Sequence, residues 1–348
     1  MKKSLTYDDI QLVPRYSQIP SRNDIKLHTL LSRRYGLLNP IVASPMDTVC
    51  ELEMAYKMFK LGGVGCIHRF NSIEEQSNIV KQLYEKIFSS DVVPKEPWAV
   101  GCGIPPIMAA IGVSEDDKER ATQLVKEGCN VLLIDVAHGH HKNVKKMLEW
   151  CKQNLDEKVD IIAGNIATKQ AALDLEEWGV DGLRVGIGGG SLCTTRLKTG
   201  FGIPNVSCLE EVISVAKTPV MADGGIRSSG DISKALALGA SQVMLGSLIA
   251  GTDEAPGQII ETTNGLYKRY RGSASLETKV THGQQTRNVE GESTTIPYKG
   301  GVKFIVNGLI DGVKSALSYG GAKDLEHFNP SYVLVTNSGI NEAKPHLL

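Results

Sequence analysis

The chain has 348 residues, with 38 Lys and Arg against 39 Asp and Glu, a net charge of -1 and 41% hydrophobic residues. This balance provides no basic field for a phosphate backbone or an anionic membrane, so we expect neither nucleic acid nor membrane as a partner. No apolar run approaches the ~20 residues of a membrane-spanning helix, and we expect a cytoplasmic protein of one large domain or two modest ones.

Eight short apolar or β-branched runs, each closed by Gly, Ser or Asp, alternate with amphipathic helical stretches from about residue 40 onward. The predicted strands are Ile41–Pro45, Val64–His68, Met108–Val113, Val131–Val136, Asp160–Gly164, Gly182–Gly186, Pro219–Ala222 and Gln242–Gly246. Most successive starts lie roughly 22 to 30 residues apart, which is the length of one strand, one helix and two short loops. Eight such units predict an α/β protein with a closed (β/α)8 TIM barrel.

Capping signals mark several helices between these strands. Residues 114–117 provide N-cap chemistry for a predicted helix over 117–127, and Gly128 ends it. A second predicted helix begins at Gly230 and ends at Gly239, and a final one covers residues 302–318. These boundaries support the alternation of strands and helices.

Three stretches depart from the rhythm. About 40 residues separate the second and third strands, and the segment 186–204 lengthens the connection between the sixth and seventh. After the eighth strand, Asn264-Gly265 is typical of a hairpin turn. Residues 277–295 are polar and aperiodic, as in a mobile flap. We therefore predict one barrel domain over residues 1–348, with a catalytic flap at residues 273–300.

Polar residues follow the predicted strands, where a barrel of this type places its reactive groups. The loops after the seventh and eighth strands, Asp223-Gly224-Gly225 and Gly246-Ser247, match the usual phosphate site of such barrels, since glycines let backbone amides approach an anion. A phosphorylated small molecule is the expected ligand. The alternative is that these glycines only make tight turns.

Residues 186–195 form the most unusual segment, with three consecutive glycines followed by Ser191 and Cys193. A loop cysteine beside hydroxyl groups is a candidate nucleophile, although it is as easily a bystander, and Cys50 and Cys66 are weaker candidates. The seven cysteines are scattered without a CxxC pair, so we expect mostly buried thiols, no disulfide framework and no zinc site. We interpret residues 138–141, which hold three histidines, as a polar loop.

The segment 186–196 resembles the catalytic loop of the IMP dehydrogenase and GMP reductase family, and the likeness extends along almost the whole chain. The supporting motifs are Leu5–Pro14, Pro45–Thr48, Ile67–His68, Ile134–Gly139, Ala163–Asn165, Ala222–Ile226, Met244–Ser247 and Tyr270–Gly272. The resemblance implies a purine mononucleotide as ligand and Cys193 as a nucleophile that attacks C2 of the purine ring.

The same resemblance implies a role for each of the other polar groups. Its implied substrate-binding residues are Ser191, Asp223, Gly225, Gly246, Ser247, Tyr270 and Gly272, with Asp223 on the ribose hydroxyls. Its implied cofactor-binding residues, facing a nicotinamide, are Arg69, Asp135, Val136 and Ala137. The backbone carbonyls of Gly188, Gly190 and Cys193 would hold a monovalent cation such as potassium.

Two reactions occur in this family. The flap resembles the reductase pattern, in which Glu290 and Thr195 protonate a leaving amine, and Lys198–Gly200 points the same way. The dehydrogenase has an Arg-Tyr pair in its flap, whereas this chain has Arg287-Asn288, and there is no room for its paired regulatory modules (the CBS domain). We therefore predict NADPH-dependent reduction of GMP to IMP and ammonia.

The alternatives stay open. Residues 62–68 and 72–76 are more similar to a dehydrogenase, which would oxidise IMP to XMP with NAD. A homologue that binds purine nucleotides without turnover is a third possibility. The resemblance also suggests a homotetramer.

Overall fold

The computed structural model describes residues 3–89, 101–281 and 289–342. Its centre is a closed barrel of eight parallel strands in chain order, so the predicted (β/α)8 TIM barrel is confirmed. The strands are β1 (Ile41–Ala43), β2 (Val64–Ile67), β3 (Met108–Ile111), β4 (Val131–Asp135), β5 (Asp160–Ile166), β6 (Gly182–Val185), β7 (Val220–Asp223) and β8 (Gln242–Leu245). The pairing of Val243 with Ile41 joins the last strand to the first.

Helices lie between successive strands and follow β8. They are α1 (Leu52–Lys60), α2 (Ile73–Phe88), α3 (Asp116–Lys126), α4 (Lys142–Asn154), α5 (Lys169–Glu177), α6 (Asn205–Ile213), α7 (Ser229–Ala237) and α8 (Val302–Gly320). A short helix, Thr195–Thr199, precedes α6. The strand side chains are almost all buried, because strands covered by helices outside and by each other inside have no solvent face.

Each predicted strand is present, but its ends differ by one or two residues from the prediction. Most strands stop earlier, because the residues that follow leave the ladder to form the loops at the barrel mouth. Strand β5 runs longer than predicted, since its pairing with β6 continues through an irregularity to Ile166. The predicted helices are also present within two residues of their expected ends.

The opposite end of the barrel is closed by the N-terminal segment. Strands Thr29–Leu30 and Gly36–Leu37 form a hairpin. The buried amide of Gln242 donates to the Leu31 carbonyl at 2.6 Å, and the Arg34 amide donates to Asp160 at 2.8 Å. Among the described residues, this segment therefore covers the end at which β5 and β8 begin.

The segment after β8 contains the predicted hairpin, formed by β9 (Ile260–Thr262) and β10 (Gly265–Arg271). Residues 277–281 and 289–295 are more ordered than we predicted, because they include most of helix Leu276–Thr281 and the first part of β11 (Ser293–Pro297), which pairs with β10. The buried side chains here include the hydroxyl residues Ser275 and Thr278, which bond each other at 2.9 Å. Because these residues are polar, the sequence shows no apolar periodicity that would predict the helix.

Within the described ranges, no helix combines the length and the apolar character that crossing a membrane requires.

Candidate active site

A cleft of about 510 Å³ opens at the carboxyl ends of the barrel strands. The predicted site residues that line it are Arg69, Asp135, Val136, Ala137, Gly188, Gly190, Cys193, Thr195, Asp223, Gly272 and Glu290. They come from the ends of four barrel strands, from Gly272 and from the flap. One cavity therefore brings together the nucleophile, acid and cofactor candidates.

A chain of hydrogen bonds connects Cys193 to the flap. The thiol donates to the hydroxyl of Thr195 at 3.2 Å, and this hydroxyl donates to Oε2 of Glu290 at 2.7 Å. Cys193 is partly exposed in the cleft, unlike most of the other thiols. The arrangement can take a proton from sulfur and hold it on a carboxylate.

Backbone contacts fix Glu290 beside the Cys193 loop. The Thr194 amide donates to the Glu290 carbonyl at 3.0 Å, and the Glu292 amide donates to the Leu192 carbonyl at 3.0 Å. On the other side, the Glu290 amide donates to Ala274 at 3.1 Å. Residues 290–292 of the flap thus form a short ladder of backbone hydrogen bonds with the Cys193 loop, and this ladder sets the position of the Glu290 carboxylate.

A buried guanidinium joins two carboxylates on the floor of the cleft. Arg184, in β6, bonds Asp135 at the end of β4 and contacts Asp223 at the end of β7 at 3.1 Å. Asn165 donates to the same Asp223 oxygen at 2.7 Å, and Arg69 donates to the Asp135 carbonyl at 3.2 Å. This network links the predicted ribose side of the site to the predicted nicotinamide side.

Sequence reasoning placed Asn165 among the polar residues at strand ends without giving it a role, and it missed Arg184 altogether. Burial alone would lower the pKa of Arg184, but the charges of Asp223 and then Asp135 raise it above its usual value, so the side chain stays cationic. A charged residue inside the otherwise apolar run Gly182–Val185 was the available signal, since a buried charge requires partners.

A second group of predicted residues gathers beside the cleft. The Ser191 hydroxyl lies 3.1 Å from the hydroxyl of Tyr270, which also bonds Ser247. Burial raises the pKa of Tyr270, although the hydrogen bonds from Ser191 and Ser247 oppose this. A side chain on Gly246 would come within 3.1 Å of the Tyr270 oxygen. Three hydroxyls around a bare backbone are suited to a phosphate.

Gly225, in the loop after β7, lies beside Asn205 and Tyr7. Its neighbour Gly224 has a φ of 88°, and a Cβ there would be 2.9 Å from the Gly189 backbone. Only glycine allows the loop after β7 to approach the Cys193 loop this closely.

The weaker nucleophile candidates are excluded by burial. Cys50 and Cys66 are both inaccessible, and burial raises the pKa of each thiol well above its usual value. Neither can form a thiolate in contact with a ligand. The other predicted buried thiols, Cys129, Cys151 and Cys208, are also buried, whereas Cys102 is exposed.

The three carbonyls predicted to hold a monovalent cation lie in the loop that carries Cys193. The Gly190 carbonyl accepts the Cys193 amide at 3.1 Å. A Cβ on Gly188 would lie 2.8 Å from Nε of Arg196, so a permanent guanidinium cation packs on this glycine. The monovalent cation site stays a prediction.

Two of the three histidines in the loop before α4 bond other groups of the protein. His140 contacts Asp174 at 2.7 Å, and His141 caps α4 by accepting the Asn143 amide. Burial lowers the pKa of His138, and the two neighbouring histidines lower it further. In the part of the chain that the structure describes, no three His, Cys, Asp or Glu side chains are grouped for a metal ion.

Arg287 and Asn288, which we compared with the Arg-Tyr pair of the dehydrogenase, lie outside the described residues.

Comparison with known proteins identifies relatives along the full chain. The family model described as "IMP dehydrogenase / GMP reductase domain" matches residues 4–346. The inosine-5'-monophosphate dehydrogenase of Cryptosporidium parvum is 37% identical, over 99% of this chain and 95% of that protein. The GMP reductase of Leishmania major is 31% identical, over 99% and 97%. A GMP reductase variant from Trypanosoma brucei, solved in complex with guanosine 5'-monophosphate, superposes with a TM-score of 0.90 at 30% identity, covering 100% of this chain and 98% of that one.

Proposed function

The chain belongs to the IMP dehydrogenase / GMP reductase family of oxidoreductases, which use a nicotinamide cofactor, and we propose that it is a GMP reductase that converts GMP to IMP and ammonia with NADPH. The observation that carries this proposal is the hydrogen-bonded chain from Cys193 through Thr195 to Glu290. The solved T. brucei relative binds GMP, which supports the same ligand class here.

The direction of the two hydrogen bonds suggests how the proton moves. The thiol proton passes to the Thr195 oxygen as the Thr195 proton passes to Glu290, which leaves a thiolate at Cys193 and a carboxylic acid at Glu290. The thiolate forms a bond to C2 of the purine. The Glu290 proton then passes back to the Thr195 oxygen as the Thr195 proton passes to the 2-amino group, because an amide anion cannot leave unprotonated.

The departure of ammonia leaves the purine bonded to sulfur through C2. NADPH supplies a hydride to this carbon when it is bound in the cleft. The electron pair of the sulfur–carbon bond then returns to Cys193, and IMP is released. One proton from solvent then restores the Cys193 thiol. Each turnover thus consumes one GMP, one reduced cofactor and one proton, and it yields IMP, ammonia and the oxidised cofactor.

The remaining residues bind and orient the substrate. We assign the phosphate to the hydroxyls of Ser191, Ser247 and Tyr270, together with the backbone of Gly225 and Gly246. Asp223 accepts from the ribose hydroxyls, and Arg184 and Asn165 hold its carboxylate in place.

The nicotinamide would lie against Arg69, Val136 and Ala137, which give the cleft one cationic and two apolar side chains. We also propose that residues 273–300 act as the flap that brings the acid to the site, and Gly272 lies at its start. The domain assignment and the homotetramer stay predictions.

The second candidate is an IMP dehydrogenase, which the 37% identity to the C. parvum enzyme favours. Incubating the protein with GMP and NADPH, and separately with IMP and NAD, distinguishes the two by the absorbance of the reduced nicotinamide. We expect loss of absorbance in the first mixture only. A rise in the second mixture would replace the reductase by the dehydrogenase, and Cys193→Ala should abolish either activity.

A further inference from the structure

Asn205 lies where the Cys193 loop meets the loop after β7. It is the first residue of α6 and is only 7% exposed. Its Nδ2 donates to the Gly224 carbonyl and lies 3.4 Å from the Asp223 carbonyl. The side chain of one residue therefore contacts the two carbonyls that follow the ribose-binding carboxylate.

The same amide fills the space beside Gly189. A Cβ built on Gly189 would lie 2.5 Å from Oδ1 and 2.8 Å from Nδ2 of Asn205, which is closer than real Cβ contacts allow. The φ of Gly189 lies outside the left-handed region, so its backbone tolerates any residue. The three atoms nearest to such a Cβ all belong to Asn205, so a side chain at position 189 would first meet this amide.

Three consecutive glycines make a loop that loses much entropy when it is ordered. A nucleophile on such a loop must still be held to within a fraction of an ångström of its productive position. The loop after β7 also presses on this segment, because a Cβ on Gly224 would reach the Gly190 nitrogen at 3.0 Å. Asn205 is anchored to one loop and packed against the other.

We propose that Asn205 is a positioning residue that holds the Cys193 loop against the loop after β7, which binds ribose and phosphate. Its amide occupies the space that a side chain at position 189 would need. It acts through Cys193 and Asp223 and does not itself touch the purine. The activity part of this inference rests on the proposed function, but the packing part does not.

The test is a double-mutant cycle between Gly189→Ala and Asn205→Ala. Gly189→Ala pushes the amide off the Gly224 carbonyl, and Asn205→Ala removes the amide, so each single variant should lower kcat about 10-fold or more. In the double variant the new methyl group enters the space that the amide has left. We expect its kcat to exceed the product of the two single effects by about 10-fold.

The matched control is Gly190→Ala, combined with the same Asn205→Ala. A Cβ on Gly190 would meet the Cβ of Cys193 at 3.5 Å rather than Asn205, so the two effects should multiply without rescue. Asn205→Asp serves as a second variant that keeps the volume but places a carboxylate oxygen against the Gly224 carbonyl. It should lower kcat in the same direction as Asn205→Ala.

A second measurement is independent of turnover. The rate of alkylation of Cys193 by iodoacetamide, located by mass spectrometry, should change in each single variant and return towards the wild-type rate in the double variant. If the effects of Gly189→Ala and Asn205→Ala simply multiply in both measurements, with unfolding temperatures unchanged, the proposed positioning role of Asn205 is refuted. If the wild type turns over neither GMP nor IMP, the proposed function fails, while the alkylation cycle still decides the role of Asn205.

Discussion

Replacing Glu290 by Gln removes the carboxylate that accepts and returns the proton, and it leaves the shape of the site unchanged. The Thr195 hydroxyl donates to Oε2 at 2.7 Å, and a glutamine oxygen can accept the same bond. The backbone ladder that holds residue 290 beside Thr194 and Ala274 does not involve the side chain. The variant should therefore fold normally but be unable to take the thiol proton or return it to the leaving amine.

The size of the effect follows from this single lost step. General acid-base catalysis by one positioned group contributes roughly 10²- to 10⁴-fold, which is about 2.7 to 5.4 kcal/mol of activation free energy. We expect kcat for GMP reduction to fall within that range. The KM for GMP should change by less than about threefold, since Glu290 is not among the residues assigned to the phosphate or ribose.

Glu292→Gln is the matched control, because Glu292 lies two residues further along the flap and its side chain is exposed. Its backbone bonds to Leu192 and Gly272 remain in the variant. Steady-state rates of NADPH oxidation for both variants should show a large loss for Glu290→Gln and little for Glu292→Gln. A Glu290→Gln enzyme that keeps more than about a tenth of its activity would refute the relay.

Three further expectations concern binding and stability. Arg184→Met should lower the unfolding free energy in urea by about 2 to 4 kcal/mol, because Asp135 and Asp223, 13% and 20% exposed, lose their shared cation; an unchanged midpoint would contradict this. Ser191→Ala should raise the Kd for GMP about 10-fold by calorimetry, with little effect if the phosphate binds elsewhere. Burial raises the pKa of Asp117, but its hydrogen bonds from Ser114 outweigh this and hold it below the usual value. The stability that Asp117→Asn removes should thus be present above about pH 4 and vanish as pH falls through the lowered folded pKa; a difference independent of pH would exclude the linkage.

The barrel could be predicted from the sequence because its signals are local. Apolar runs of four to six residues, glycines at loops and capping residues each act within a few positions of the chain, and their spacing repeats eight times. Strand ends were less certain, since the point at which β5 leaves the ladder depends on its pairing with β6. The order in residues 277–281 and 289–295 was missed because hydroxyls such as that of Thr278, rather than apolar side chains, fill buried positions there.

The residues of the candidate site likewise fall into those that local sequence indicates and those that only distant contacts define. Cys193, Asp223 and the glycines of their loops stand out in the sequence as unusual residues after predicted strands. Arg184 and Asn205 do not, and Asn165 stands at a strand end without a visible role, because the roles of all three exist only through partners on other strands and loops.

The sequence by itself determined the alternation of elements, the residues that reach the barrel mouth and the family resemblance. Only the tertiary structure decided which of those residues meet: Thr195 and Glu290 are 95 positions apart, and Arg184 lies 39 and 49 positions from its two carboxylates. Local sequence controls backbone conformation and burial over a few residues. Hydrogen-bond partners from distant segments are fixed only when the barrel closes and the flap pairs with the Cys193 loop, which brings their side chains within bonding distance.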